Sequence, residues 1–154
     1  MPVAKLKSFL DDHEVKYLSI THSKAYTAMD VAESAHVKGR EVAKTVVVKV
    51  DDHLAMAVLP ATRKVDLDLL RRGTGAVNLD LAREPEFRSD FPGCELGAMP
   101  PFGNLYRMDV FVDPRLASNE EIAFNAGSHT EVVRMRYLDF DRLVHPRTLA
   151  LSAP

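Results

Sequence analysis

Residues 42–50 read Val42-Ala43-Lys44-Thr45-Val46-Val47-Val48-Lys49-Val50, and residues 54–59 read Leu54-Ala55-Met56-Ala57-Val58-Leu59. The first run is dense in β-branched side chains, whose restricted χ1 suits a pleated strand. The second is an unbroken apolar run. Asp51-Asp52-His53 alone separates them. So short a polar link between two strand-forming runs predicts a hairpin, which is marginal in water unless other elements cover it.

Residues 2–13 set Val3, Leu6, Phe9 and Leu10 at helical spacing behind Pro2, a residue tolerated in a first turn. Residues 15–20 alternate in part, as a half-buried strand does. Thr27, three residues before Asp30, resembles a capping box opening a helix through Val31, Ala32 and Ala35, with Gly39 as its stop. A short helix is expected over 66–72, closed at Gly73, and another over 85–90. Residues 93–104 are too rich in Gly and Pro to be anything but loop. Strands follow over 108–112, 122–125 and 131–137, then a helix over 138–144, before a tail beginning at Pro146. The elements do not alternate as βαβ units and the later strands come in a run. This predicts an α+β fold in one domain, residues 1–154, rather than a doubly wound sheet.

Composition narrows the function classes. Hydrophobic residues make up 46% and charged residues 27%, which excludes a disordered or fibrous chain. The longest clean apolar run, 54–59, is far short of the roughly 20 residues that span a bilayer. The N-terminus lacks the apolar centre of a secretory signal, so a cytoplasmic location is expected. One cysteine, Cys94, supplies neither a disulfide framework nor a multi-thiolate site. Lys and Arg number 20 against 22 Asp and Glu, so there is no long-range pull on polyanions. The basic pairs Lys38 with Arg40, Arg63 with Lys64, Arg71 with Arg72 and Arg134 with Arg136 read as solvated faces or local contacts. The histidines form no HExxH or other i,i+4 pair, and no metal or cofactor is expected.

Three features carry candidate chemistry. Period-two alternation puts Lys44 on one strand face with Val42, Val46, Val48 and Val50. If that face is the core, the ammonium either meets a carboxylate or ligand or snorkels past the sheet edge. Lys49, on the face of Thr45 and Val47, is expected to be exposed. The second feature is Gly97-Ala98-Met99-Pro100-Pro101-Phe102-Gly103. Its prolines fix φ and delete N–H donors while its glycines allow close approach, which suits a rigid connector or a loop around a carbonyl. The third is Asn125-Ala126-Gly127-Ser128-His129, a turn between two strands or a pocket wall. Ser128 and His129 are adjacent and diverge on a strand, so they do not form a nucleophile–base pair. Cys94, beside a Pro-Gly turn, reads as a structural thiol.

In this order the features resemble the YbaK/ProX family of aminoacyl-tRNA deacylases, related to the editing insertion domain of bacterial prolyl-tRNA synthetases. The resemblance spans residues 17–143 and rests on Ala43-Lys44-Thr45-Val46-Val47-Val48, on Val58-Leu59-Pro60 followed by Val65-Asp66-Leu67, on the GxxxP loop from Gly97 to Pro101, and on Gly127-Ser128-His129. Tyr26-Thr27-Ala28 and Asp139-Phe140 fit as well. It implies a mixed, barrel-like sheet surrounded by helices, and hydrolysis of the ester joining a wrong amino acid to tRNA. The neighbouring ribose hydroxyl then assists, so no catalytic triad is required. By this resemblance Lys44 orients the aminoacyl end and offsets negative charge, and the N–H groups of Gly97, Ala98 and Met99 hold the oxyanion. Tyr26, Thr27, Pro101, Phe102, Gly127, Ser128 and His129 bind substrate, the last three sizing its side chain. The implied partner is the acceptor end of an aminoacyl-tRNA, and an aminoacyl-tRNA synthetase is admitted as a second; no cofactor is implied.

The loop and the wall depart from the alanine-specific branch, and the cysteine-specific branch is not closely matched. Alanine, cysteine, serine and threonine all remain admissible. Two rival readings stand beside this one: a non-catalytic binding module with the same pocket, and an unrelated hydrolase of small esters.

Overall fold

The structure, a computed structural model, describes residues 2–23, 27–95 and 97–154. In chain order its elements are α1 (Pro2–Asp12), β1 (Tyr17–Thr21), α2 (Ala28–Ser34), β2 (Ala43–Val50), β3 (His53–Pro60), β4 (Lys64–Val65), α3 (Leu67–Thr74), β5 (Leu79–Leu81) and α4 (Glu84–Phe87). They continue with β6 (Asp109–Val112), α5 (Pro114–Ala117), β7 (Glu121–Asn125), β8 (Glu131–Arg136), α6 (Tyr137–Val144), β9 (Arg147–Thr148) and β10 (Ser152–Ala153).

β2 and β3 form the expected hairpin, paired antiparallel from Ala43↔Pro60 to Val50↔His53. Asp51 takes φ 53, the left-handed region that aspartate tolerates. Its carboxylate accepts N–H bonds from Val77 (3.1 Å) and Asn78 (2.9 Å), which ties the turn to the chain entering β5.

The hairpin sits inside a mixed sheet of order β5-β2-β3-β6-β9, with β3–β6 and β6–β9 parallel. A second, antiparallel sheet runs β1-β8-β7, and β10 pairs with β4. The α+β architecture is as expected, but among the described residues no sheet closes into a barrel. Among the described residues the two larger sheets meet through one parallel bridge, Val42↔Ala123. Beyond it no ladder pair joins β2 to β7 among the described residues, and the two strands part.

Both faces of β2 are covered, which corrects the assumption of one core face. Ala43 and Val47 pack with Met56 and Val58 against residues of α1, α5 and α6, while Val48 packs with Leu59, Leu70 and Leu79 on the other side. Lys49 is exposed as expected, and reaches Glu86 at 3.2 Å.

Helix ends show where local signals mislead. Thr27 caps α2 by accepting the Asp30 N–H at 3.0 Å, but the helix stops at Ala35 and the chain turns through His36 at φ 57, well before Gly39. Gly73 lies within α3. Gly75, at φ 75, is the cap, its N–H donating to Arg71 O. The tail after Pro146 supplies β9 and β10, held by Asp113, which is 1% exposed and accepts from Leu151 N–H (3.1 Å) and Ser152 O–H (2.8 Å). Two-residue strands carry no periodicity that a sequence reading detects.

Candidate active site

The gap left where β2 and β7 part is a cavity of about 160 Å³. Its walls come from Ala28 at the start of α2, from β2 as far as Lys44 and Thr45, from Asn125 at the end of β7, and from Gly97 and Met99 of the proline loop. β5 pairs with β2 only over Val48, Lys49 and Val50, so no strand lies against the Lys44 end of that edge among the described residues. Lys44 and the Gly97 loop, far apart in sequence, thus share one space.

Lys44 is half-buried. Burial holds its ammonium below the usual lysine range, and the nearby positive charge of Lys64 pushes in the same direction. Such a group favours an anionic partner or developing negative charge. Two further polar atoms belong to residues of this cavity. Thr45 Oγ1 and Asn125 Oδ1 are both buried from solvent, and neither has a hydrogen-bond partner among the described residues.

The loop is held by three backbone bonds. Ala98 N–H donates to Glu95 O (3.0 Å), Gly127 N–H to Ala98 O (2.9 Å), and Glu95 N–H to Gly127 O (2.9 Å). They explain why the proline loop and the Gly127 turn lie together. They also commit the Ala98 N–H, which removes it from the expected oxyanion donors. Gly97 takes φ 83, where a side chain is strained, and opens the loop toward the cavity. Met99 is 7% exposed, and Pro101 is buried behind it.

Other expected residues fall elsewhere. Phe102 is fully enclosed, its ring 5.4 Å from those of both Phe124 and Phe140, so it anchors the loop in the core. Gly127 and Ser128 line a different cavity, of about 500 Å³, with Val3, Pro92 and Glu95. Ser128 Oγ lies 3.2 Å from Thr130 Oγ1. His129, 5% exposed, packs behind Gly97: a Cβ there would lie 3.7 Å from its Cε1. Its N–H donates to Glu95 Oε2 (3.2 Å), and its Nε2 is 3.8 Å from the same oxygen. Ser128 and His129 lie in the turn before β8, which starts at Glu131, so the strand alternation expected of them does not apply; Ser128 is placed by Thr130 and His129 by Glu95. Thr27 spends its hydroxyl on the α2 cap, and Tyr26 lies outside the described residues. Cys94 Sγ is 3.9 Å from Tyr106 Oη, and burial pushes the thiol up, away from a reactive thiolate. Among the described residues no three His, Cys, Asp or Glu gather to hold a metal ion, and no helix is long and apolar enough to cross a membrane.

Thr45 stands in the Lys44 motif and Asn125 opens the 125–129 feature, but neither has a role of its own in the sequence. Thr45 follows Lys44 on a strand, where neighbours normally diverge, and nothing in the sequence links Asn125 to β2.

Fold and cavity together define an α+β domain with a small polar pocket at the parting of two sheets. The same fold occurs in a protein proposed as a trans-editing enzyme for prolyl tRNA synthetase: TM-score 0.83, covering 99% of this chain and 98% of that one at 18% identity. It also occurs in the hypothetical protein APE2540, with TM-score 0.85 over 97% of this chain and 99% of the other, at 16% identity. Residues 22–143 match the aminoacyl-tRNA editing domain, and the chain belongs to that family. Over 148 residues it is 29% identical to the multifunctional Ser/Thr-tRNA deacylase ProXp-y of Escherichia coli, in strain K12 and in O157:H7, covering 92% of this chain and 87% of the relative.

Proposed function

We propose that this protein is a trans-editing hydrolase that removes a small, wrongly attached amino acid from tRNA by cleaving the ester at its 3′ end. The observation that carries this reading is the convergence of Lys44, Gly97 and Met99 on one small cavity in an aminoacyl-tRNA editing domain. The ribose hydroxyl beside the ester assists attack by water, and the protein positions and stabilises. Lys44 holds the aminoacyl end and offsets charge on the carbonyl oxygen. With the Ala98 N–H committed, the N–H groups of Gly97 and Met99 take the oxyanion role.

Pro101 and Phe102 keep the loop stiff. His129 supports Gly97 from behind, and its role is positioning. The named activity of the E. coli relative favours seryl and threonyl groups over alanyl and cysteinyl ones. The partner is the acceptor end of an aminoacyl-tRNA, with prolyl-tRNA synthetase as the first synthetase to test for association.

The test is deacylation of seryl-, threonyl-, alanyl- and cysteinyl-tRNA by wild type and Lys44→Ala. The variant is expected to keep its fold and lose about 2–4 kcal/mol of transition-state stabilisation, roughly 30- to 1,000-fold in kcat/KM. A folded Lys44→Ala with wild-type turnover removes the lysine from the mechanism. A wild type that binds these tRNAs and cleaves none is a binding module instead.

A further inference from the structure

Thr45 Oγ1 and Asn125 Oδ1 stand out because a buried polar atom without a partner costs stability that a folded chain ordinarily avoids. Both belong to residues lining the cavity that holds Lys44, one from β2 and one from β7. A carboxamide oxygen only accepts, whereas a hydroxyl both donates and accepts. One ligand group answers both needs: a hydroxyl, donating to Asn125 Oδ1 and accepting from Thr45 O–H. An ammonium satisfies the carboxamide oxygen but offers nothing to the threonine proton, and it would add positive charge beside Lys44 and Lys64. A volume of about 160 Å³ is large enough to hold one small side chain.

We propose that Thr45 and Asn125 read a hydroxyl on the side chain of the bound amino acid, and that this pair, not Ser128 and His129, selects seryl and threonyl groups over alanyl and cysteinyl ones. The inference rests on the hydrolase reading for the identity of the ligand and goes beyond it in assigning the selecting atoms. A site built to hydrogen-bond a hydroxyl rejects the analogue lacking it because its own polar atoms are then left unpaired.

The experiment separates recognition from cleavage. Binding of 3′-seryl-amino-3′-deoxyadenosine and its alanyl counterpart, whose amide links resist hydrolysis, is measured by calorimetry, alongside cleavage of seryl- and alanyl-tRNA. Wild type is expected to bind the seryl analogue at least about tenfold more tightly. Thr45→Val, close in volume, and Asn125→Leu are expected to reduce that ratio to roughly 1–3 by weakening the seryl analogue. Asn125→Asp, which keeps an acceptor oxygen, retains the preference. Thr45→Val should melt at or above the wild-type temperature, because it removes a buried hydroxyl that no described residue pairs.

No preference in wild type, binding of neither analogue, parallel weakening of both by Thr45→Val, or a marked fall in its melting temperature would each overturn the proposal. Discrimination in binding without ester cleavage leaves it standing while the hydrolase reading falls. Cleavage without discrimination does the reverse.

Discussion

Gly97 and Gly103 bracket the proline loop, and the two are required for different physical reasons. At Gly103 the obstacle is space. A Cβ there would lie 2.3 Å from the carbonyl oxygen of Met108 and 2.6 Å from Val110 Cγ2. Both are far inside the ~3.5 Å at which non-bonded contacts become favourable. The obstructing backbone has little room to retreat, because Met108 N–H and Tyr106 N–H both donate to Gly103 O at 2.9 Å. Overpacking costs about 1–3 kcal/mol, and weakening one of these bonds about 1 more. Gly103→Ala should therefore lose about 2–4 kcal/mol, a fall in Tm of about 5–15 °C for a domain of this size.

At Gly97 the obstacle is conformation. A Cβ meets only His129 Cε1 at 3.7 Å, an ordinary contact, but φ is 83. Gly97→Ala should cost about 1–2 kcal/mol, and Gly97→Asn less, since asparagine visits the left-handed region more readily. At Gly103 the order reverses, because asparagine is the larger residue. Thermal and urea unfolding of the four variants checks the crossing order, and deacylation assays should show Gly97→Val losing more activity than stability. A wild-type Tm for Gly103→Ala, or alanine outperforming asparagine at position 97, would refute the reasoning.

Lys44 loses its proton below the ordinary lysine range of about 10.4, so its charge disappears as pH rises through that lowered value. Lys64→Gln removes one of the two causes and should move the titration upward, which NMR of the Lys44 side chain reads directly; an unmoved titration separates the two lysines. Asp113 accepts from Arg115 N–H (2.9 Å), Leu151 N–H and Ser152 O–H. Asp113→Ala strands these donors, and the expected loss is about 3 kcal/mol with faster amide exchange at Leu151. Protection of Leu151 unchanged from wild type would show that Asp113 does not hold the C-terminal strand.

Local chemistry by itself determined much of this protein. The β-branched run at 42–50 and the apolar run at 54–59 pair as the hairpin that their short polar link predicts, and Thr27 and Asp66 cap helices through bonds within a few residues. The ordered motifs led to the editing-domain family without coordinates. What a residue faces was decided by the tertiary structure alone. Lys44 shares a cavity with Gly97 because β2 parts from β7 after one bridge, and Phe102 turns into the core because Phe124 and Phe140 are there to receive it. Asn125 shares a cavity with Thr45 across 80 residues of chain, a distance over which neither helical nor strand periodicity carries information. Propensity and patterning act within a few residues of the chain, whereas a pocket forms where distant segments fail to close on one another.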